Sequence, residues 1–124
     1  MEGYATRIIE ASKELSKKES VMLKDMSDCI KLDEVLKDGA ITFKPEYYAV
    51  VGIHNEKSDN KDYQVYVVVD ETGNKYSTSS ESFFTSFKDI FSDMCETDEE
   101  WALKVYKLDS KNYNGRQFIT CSII

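Results

Sequence analysis

Residues 63–69 read YQVYVVV, a run of aromatic and β-branched side chains broken only by Gln64. No other stretch limits the chain so strongly. Such residues suit a pleated, half-buried surface and lose rotamer freedom in a helix. The run therefore predicts a central strand, and a strand needs partners on both sides. Residues 47–54, YYAVVGIH, supply a second buried strand, with the polar loop HNEKSDNKD (54–62) between the two. Residues 70–74, DETGN, predict a hairpin turn around Gly73, and residues 75–78 a short return strand.

A helix is expected next. Thr78 and Glu81 have the T-x-x-E spacing of a capping box, and Phe83, Phe84, Phe87, Ile90, Phe91 and Met94 recur at helical spacing. That stripe reads as core. Residues 101–108, WALKVYKL, alternate as a strand. The segment 109–117 carries the turn pair Asn114-Gly115, and 118–124, FITCSII, forms a closing strand. Upstream, residues 40–43 alternate before Pro45. Residues 2–18 show an amphipathic stripe of Ala5, Ile8, Ile9, Ser12 and Leu15, which predicts an N-terminal helix. Residues 19–38 have apolar anchors without one period and end near Gly39.

With 124 residues the chain fits a single domain, divided here into a helical segment, 1–38, and a β-rich body, 40–124. Strand, strand, strand, helix, strand, strand is the element order of an OB-fold. The predicted class is α+β: an OB-fold-like five-stranded β-barrel with a helix between strands 3 and 4, plus the N-terminal amphipathic helix. Binding in that fold uses strands 2 and 3 and two loops. The first would be 54–62, with His54, Lys57 and Lys61; the second 109–117, with Lys111, Tyr113 and Arg116. If Val65, Val67 and Val69 point inward, Tyr66 points outward. The same parity exposes Lys104, Tyr106 and Phe118. Rings for stacking and cations for phosphates suit single-stranded nucleic acid. The competing arrangement packs Tyr66 and Phe118 beneath the N-terminal helix.

Charge cuts across that reading. The formal net charge is −7, but it is unevenly spread. Residues 89–100 hold Asp89, Asp93, Glu96, Asp98, Glu99 and Glu100 with no base, whereas 104–124 is +3. The acids Asp93, Glu96, Asp98, Glu99 and Glu100 form an alternative face for a basic protein partner.

Catalysis finds little support. His54 is the sole histidine and lacks zinc spacing, and there is no P-loop motif. Asp70 to Glu81 has the length of an EF-hand loop, but Lys75 occupies the position that needs glycine. No metal, no cofactor and no enzymatic activity are expected. Cys29, Cys95 and Cys121 read as buried free thiols. With no long apolar run and no signal-peptide pattern, the expected location is the cytoplasm, without membrane association.

The stretches IHNEKSDNKDYQVYVVVDETGNKYSTSSESFFTSF and VYKLDSKNYNGRQFITCSII also carry a family likeness. The sequence resembles small single-stranded DNA-binding-type proteins encoded by phages and prophages of Gram-positive, especially clostridial, bacteria. The match runs through His54-Asn55-Glu56-Lys57-Ser58 and through Ser110-Lys111-Asn112-Tyr113 with Gly115, Arg116 and Phe118. It departs at Ser79, where the pattern has glycine. The resemblance implies a non-catalytic phage protein, acting in the bacterial host cell, whose partner is single-stranded DNA. The alternative is an anti-defence protein: an acidic DNA mimic that inhibits a host immune nuclease, anti-CRISPR-like, or a sponge for a signalling nucleotide. The closing strand FITCSII could pair between chains, which leaves a homo-oligomer open.

Overall fold

The computed structural model describes residues 4–25, 27–57, 62–109 and 117–124. The fold is mixed α+β and mostly sheet. In chain order the elements are β1 (Tyr4–Ala11), α1 (Lys17–Lys24), β2 (Ile30–Lys31), α2 (Leu32–Val35), a 3-10 turn (Leu36–Asp38), β3 (Ile41–Phe43) and β4 (Pro45–Asn55). Then follow β5 (Asp62–Asp70), β6 (Lys75–Thr78), α3 (Glu81–Met94), β7 (Leu103–Asp109) and β8 (Gln117–Ile123). The strands form two sheets, in the orders β1-β4-β5-β6-β2 and β3-β7-β8. No ladder joins the two among the described residues, so the expected closed five-stranded barrel is not formed. Close contacts group the chain into two compact units, Met1–Lys31 with Glu46–Ser79, and Leu32–Pro45 with Ser80–Ile124. Among the described residues no helix is long and apolar enough to cross a membrane.

In the first unit, alternate residues of β4 and β5 build the core. Tyr47, Ala49, Val51 and Ile53 meet Val67 and Val69, and Leu23 of α1 packs onto them. Fully burying a side chain of Val or Leu size is worth ~1.5–3 kcal/mol. This cluster is the main favourable term of the unit. Ile8, Ala11 and Leu15 pack at its margin.

Those three residues belonged to the predicted N-terminal helix, and the structure corrects that expectation. Residues Tyr4–Ala11 are an edge strand antiparallel to β4. The register pairs Ile8 with Val51, Glu10 with Val50 and Ala11 with Ala49, with a shift between Ile8 and Glu10. Ile9 is the extra residue of a β-bulge. The bulge resets the alternation, so Ile8 and Ala11, three apart, face the same cluster. A bulged strand thus imitates helical spacing. Helix α1 starts later, at a capping box. Ser16 Oγ accepts from the Glu19 N–H at 3.1 Å, and Glu19 Oε1 accepts from the Ser16 N–H at 3.0 Å.

The other end of α1 is closed by a lysine from the sheet. Lys75 opens β6, pairs with Val69 and is buried. Its Nζ donates to the Met22 carbonyl at 2.6 Å and the Asp25 carbonyl at 2.8 Å, and meets Asp28 Oδ1 at 2.6 Å. Helix ends leave carbonyls without partners; here a buried ammonium serves two of them at once. The preceding hairpin is held by Asp70, whose Oδ1 accepts from the backbone N–H groups of Thr72 and Asn74, both at 2.9 Å.

In the second unit, α3 lies along β8. Phe83 stacks on Phe87 at a centroid separation of 5.9 Å, Phe87 meets Phe91 tilted at 5.4 Å, and Phe91 meets Trp101 edge-on at 6.3 Å. Leu103, Val105, Ile119 and Cys121 complete this core. The N-cap of α3 is Ser80, not Thr78: Ser80 Oγ accepts from the Phe83 N–H at 3.3 Å. Thr78 is still inside β6, opposite Tyr66.

Lys75→Met should lower stability by about 2–3 kcal/mol in chemical denaturation, because the α1 carbonyls lose a charged donor inside the fold. Asp28→Asn should cost below about 1 kcal/mol, since the Asp28 side chain is 67% exposed and water screens the pair. Equal losses would show that the ion pair, and not the helix cap, carries the contribution.

Candidate nucleic-acid interface

Strands β7 and β8 form an antiparallel ribbon with two unlike faces. The register pairs Leu103 with Ile123, Lys104 with Ser122, Val105 with Cys121, Tyr106 with Thr120 and Leu108 with Phe118. Leu103, Val105, Ile119 and Cys121 point into the core. Period-two geometry puts Lys104, Tyr106, Leu108, Phe118, Thr120 and Ser122 on the opposite face. Leu108 and Phe118, directly across from each other, are 44% and 39% exposed. Tyr106 is half-buried and its hydroxyl shares a 2.7 Å hydrogen bond with Ser122 Oγ. Lys104 Nζ lies 5.5 Å from the Tyr106 ring centroid. The face therefore offers one ring, Tyr106, oriented by a hydrogen bond with an ammonium beside it, and a second, Phe118, exposed further along.

Three of the sequence-predicted residues, Lys104, Tyr106 and Phe118, come together on this ribbon. Tyr66 does not. It is only 8% exposed, on the opposite face of β5 from the Val67 cluster, and that face is closed to solvent. Its parity was as expected, but an outward-pointing residue on a strand buried on both faces cannot stack on a base. Lys57 is exposed at the turn after β4, where its backbone N–H donates to Asn55 Oδ1 at 3.0 Å. Lys61, Lys111, Tyr113 and Arg116 lie outside the described residues. The acidic candidates Asp93, Glu96, Asp98, Glu99 and Glu100 are all exposed, and Glu100 approaches Lys44 at 3.8 Å.

Sequence reasoning missed the environment of His54. Its Nδ1 lies 2.8 Å from Asp62 Oδ1 and its Nε2 2.7 Å from Glu56 Oε1. Hydrogen bonds to Asp62 and then to Glu56 favour the charged ring and raise its pKa above the ordinary 6.5. His54 and Asp62 border an open groove of ≈ 430 Å³ over Gly52, with Arg7 and Ile9 on its β1 side. The signal was present as H-x-E and a later Asp, but loop closure between 54 and 62 was needed to join them. Among the described residues no cluster of His, Cys, Asp or Glu is placed to hold a metal ion.

The thiols differ from one another. Cys121 is buried, and burial pushes its pKa up to about 11, which leaves it protonated at neutral pH. Cys29 is half-buried. Cys95, expected to be buried, is exposed just past the end of α3. It follows Met94, where the apolar stripe ends, so no packed neighbour covers it.

No protein-family model, curated protein or solved structure matches this chain.

The solitary histidine gives a clean titration. Its NMR midpoint should lie above 6.5, and Asp62→Asn should bring it down. Because the folded pKa is raised, the contribution to stability is complete below pH 6.5 and disappears as pH rises through the folded value. Wild type and Asp62→Asn should therefore differ in denaturation midpoint at pH 5.5 and converge at pH 9. A gap that persists at pH 9 would assign the effect to something other than imidazolium.

Proposed function

We propose that this chain is a non-catalytic single-stranded DNA-binding protein that stacks bases on the outward face of β7–β8. One observation carries the reading: Lys104, Tyr106, Leu108 and Phe118 share one face of the ribbon, and two of these apolar side chains are left in water. Leu108 and Phe118 form a neighbouring exposed apolar pair, and the Lys104 ammonium lies beside Tyr106 further along the same face. Base stacking on such rings contributes ~1–3 kcal/mol per base and tolerates any sequence. In the sequence, Lys111, Tyr113 and Arg116 fall between β7 and β8 and add two cations and a ring to the candidate set. The OB-like part of the reading rests on element order, with the two open sheets standing in place of a barrel. The likeness to phage and prophage proteins agrees with a role inside a bacterial host cell, in the cytoplasm.

A second reading has its own support. Helix α3 ends with Asp93 in its last turn and no basic residue there. A carboxylate at that end opposes the helix dipole. With Glu96, Asp98, Glu99 and Glu100 following, the exposed acids suit a basic protein partner, as in a DNA-mimicking inhibitor of a host nuclease. Asp93 is exposed, as a partner contact requires. Asp93→Asn should raise the melting temperature slightly, by the equivalent of about 0.3–1 kcal/mol; a drop would give the acid a structural task instead.

For the principal reading, labelled oligo-dT should bind at low salt and weaken steeply as salt rises. Phe118→Ala and Tyr106→Ala should each cost about 1–3 kcal/mol of binding. Tyr66→Phe should leave binding unchanged. Absence of any anisotropy change at high micromolar protein would reject DNA binding. Undiminished binding by Phe118→Ala and Tyr106→Ala would move the site away from this ribbon.

A further inference from the structure

Strand β7 has a partner on one side throughout and on the other only in part. The ladder from β3 covers Leu103, Lys104 and Val105 and stops at the pair Ile41–Val105. Before Ile41 the chain turns away. Gly39 has φ 129°, a conformation that favours glycine, and its N–H donates to the Leu36 carbonyl at 3.3 Å. The 3-10 turn Leu36–Asp38 lies beside β7 without joining its ladder. A cleft of ≈ 680 Å³ results, lined by Leu36, Lys37, Asp38, Gly39, Ala40, Tyr106 and Lys107.

Two lysines, Lys37 and Lys107, and one acid line this cleft, in a chain that has 23 acids and 16 Lys and Arg residues. Lys104, close by on β7, faces a ring. Asp38 is the acid among the lining residues. Lys37, half-buried Lys107 on the Ile119 side of β7, and two small residues, Gly39 and Ala40, thus border one depression at the edge of that strand. Tyr106 belongs to both the cleft and the ribbon face.

We propose that this cleft is a phosphodiester site. It holds the backbone of the single strand whose bases stack on Tyr106 and Phe118, with Lys37 and Lys107 as the phosphate contacts. The proposal rests on the stacking reading and gives the strand a direction: from the Leu108–Phe118 end of the ribbon, past Tyr106, to the notch where β3 stops. The small side chains at Gly39 and Ala40 leave room for a sugar-phosphate chain.

The test uses the full chain with two labelled probes of about 12 nucleotides, an oligo-dT and its abasic sugar-phosphate counterpart. Each phosphate contact on a single strand contributes about 0.7 to the slope of log affinity against log salt, so Lys37→Ala with Lys107→Ala should reduce that slope by about 1.4 on both probes. Phe118→Ala should weaken the dT probe several-fold and leave the abasic probe unaffected. Lys44→Ala, on the segment between β3 and β4, should alter neither. If the double variant keeps the wild-type slope while Phe118→Ala still weakens dT binding, the phosphate site is overturned and the stacking face stands. If wild type binds neither probe, both readings fall. As a check free of any variant, the Gly39 and Ala40 amides should shift when the abasic probe saturates wild-type protein; unmoved amides overturn the site.

Discussion

The constraint that organises this molecule is the backbone of β4 and β5. Both strands are buried over most of their length, on both faces. A buried N–H or C=O without a partner costs free energy comparable to a lost hydrogen bond, and here there are many of them. The two strands satisfy each other on one side. The outer side of β4 has to be met by something, and among the described residues the segment that meets it is β1. The outer side of β5 is met by β6, and β6 in turn by the two-residue parallel strand β2. The sheet therefore grows outward from the most apolar strands to the least. Its edges are a bulged strand and a very short one, both poor templates for further pairing.

Lys75 follows from the same logic. It opens β6 on the core side of the sheet, where an aliphatic residue would be the simple choice. The helix that covers that side ends there, with carbonyls pointing inward. A side chain with an apolar stem and three donors solves both problems, provided its charge is compensated, and Asp28 at the surface does that. Local sequence cannot reveal this arrangement, because Lys75 lies about 50 residues from the carbonyls it caps.

What could be read from the sequence was the set of elements after residue 40. Tyr47–Ile53, Tyr63–Val69 and the phenylalanine stripe of α3 have patterns that only one secondary structure satisfies. Pairing was much less legible. Ile41–Phe43 joins β7 across some sixty residues of chain, and this choice makes two open sheets where the element order suggested one barrel. The N-terminal error has a specific cause, since the bulge at Ile9 gives a strand the three-residue spacing of a helix. The Thr78 error has another. Two hydroxyl residues, Thr78 and Ser80, both had glutamate or phenylalanine at useful offsets, and only strand pairing decides which of them is free to cap. For the site, parity assigned Lys104, Tyr106 and Phe118 to one face because β7 and β8 alternate cleanly. Parity gave Tyr66 the same status, but it reports direction and says nothing about what lies in that direction.

The remaining difficulty is electrostatic: a protein of net charge −7 is asked to bind a polyanion. Distance along the ribbon resolves much of it. The acidic segment 96–100 enters β7 at Leu103, the end that pairs with Ile123. The exposed pair Leu108 and Phe118 lies at the opposite end. Five residues of strand separate Leu103 from Leu108, about 17 Å at 3.3–3.4 Å per residue. The screening length at physiological salt is about 8 Å. A strand stacked on Phe118 would therefore lie about two screening lengths from the end where the carboxylates enter. At low salt the screening length approaches 30 Å at about 0.01 M, and the acids come back into range. Binding at this ribbon would then depend on salt less steeply than the number of local lysines implies, because lowering the salt strengthens the repulsion along with the attraction. Neutralising the acids of 96–100 should steepen that dependence without adding a single contact to the ligand.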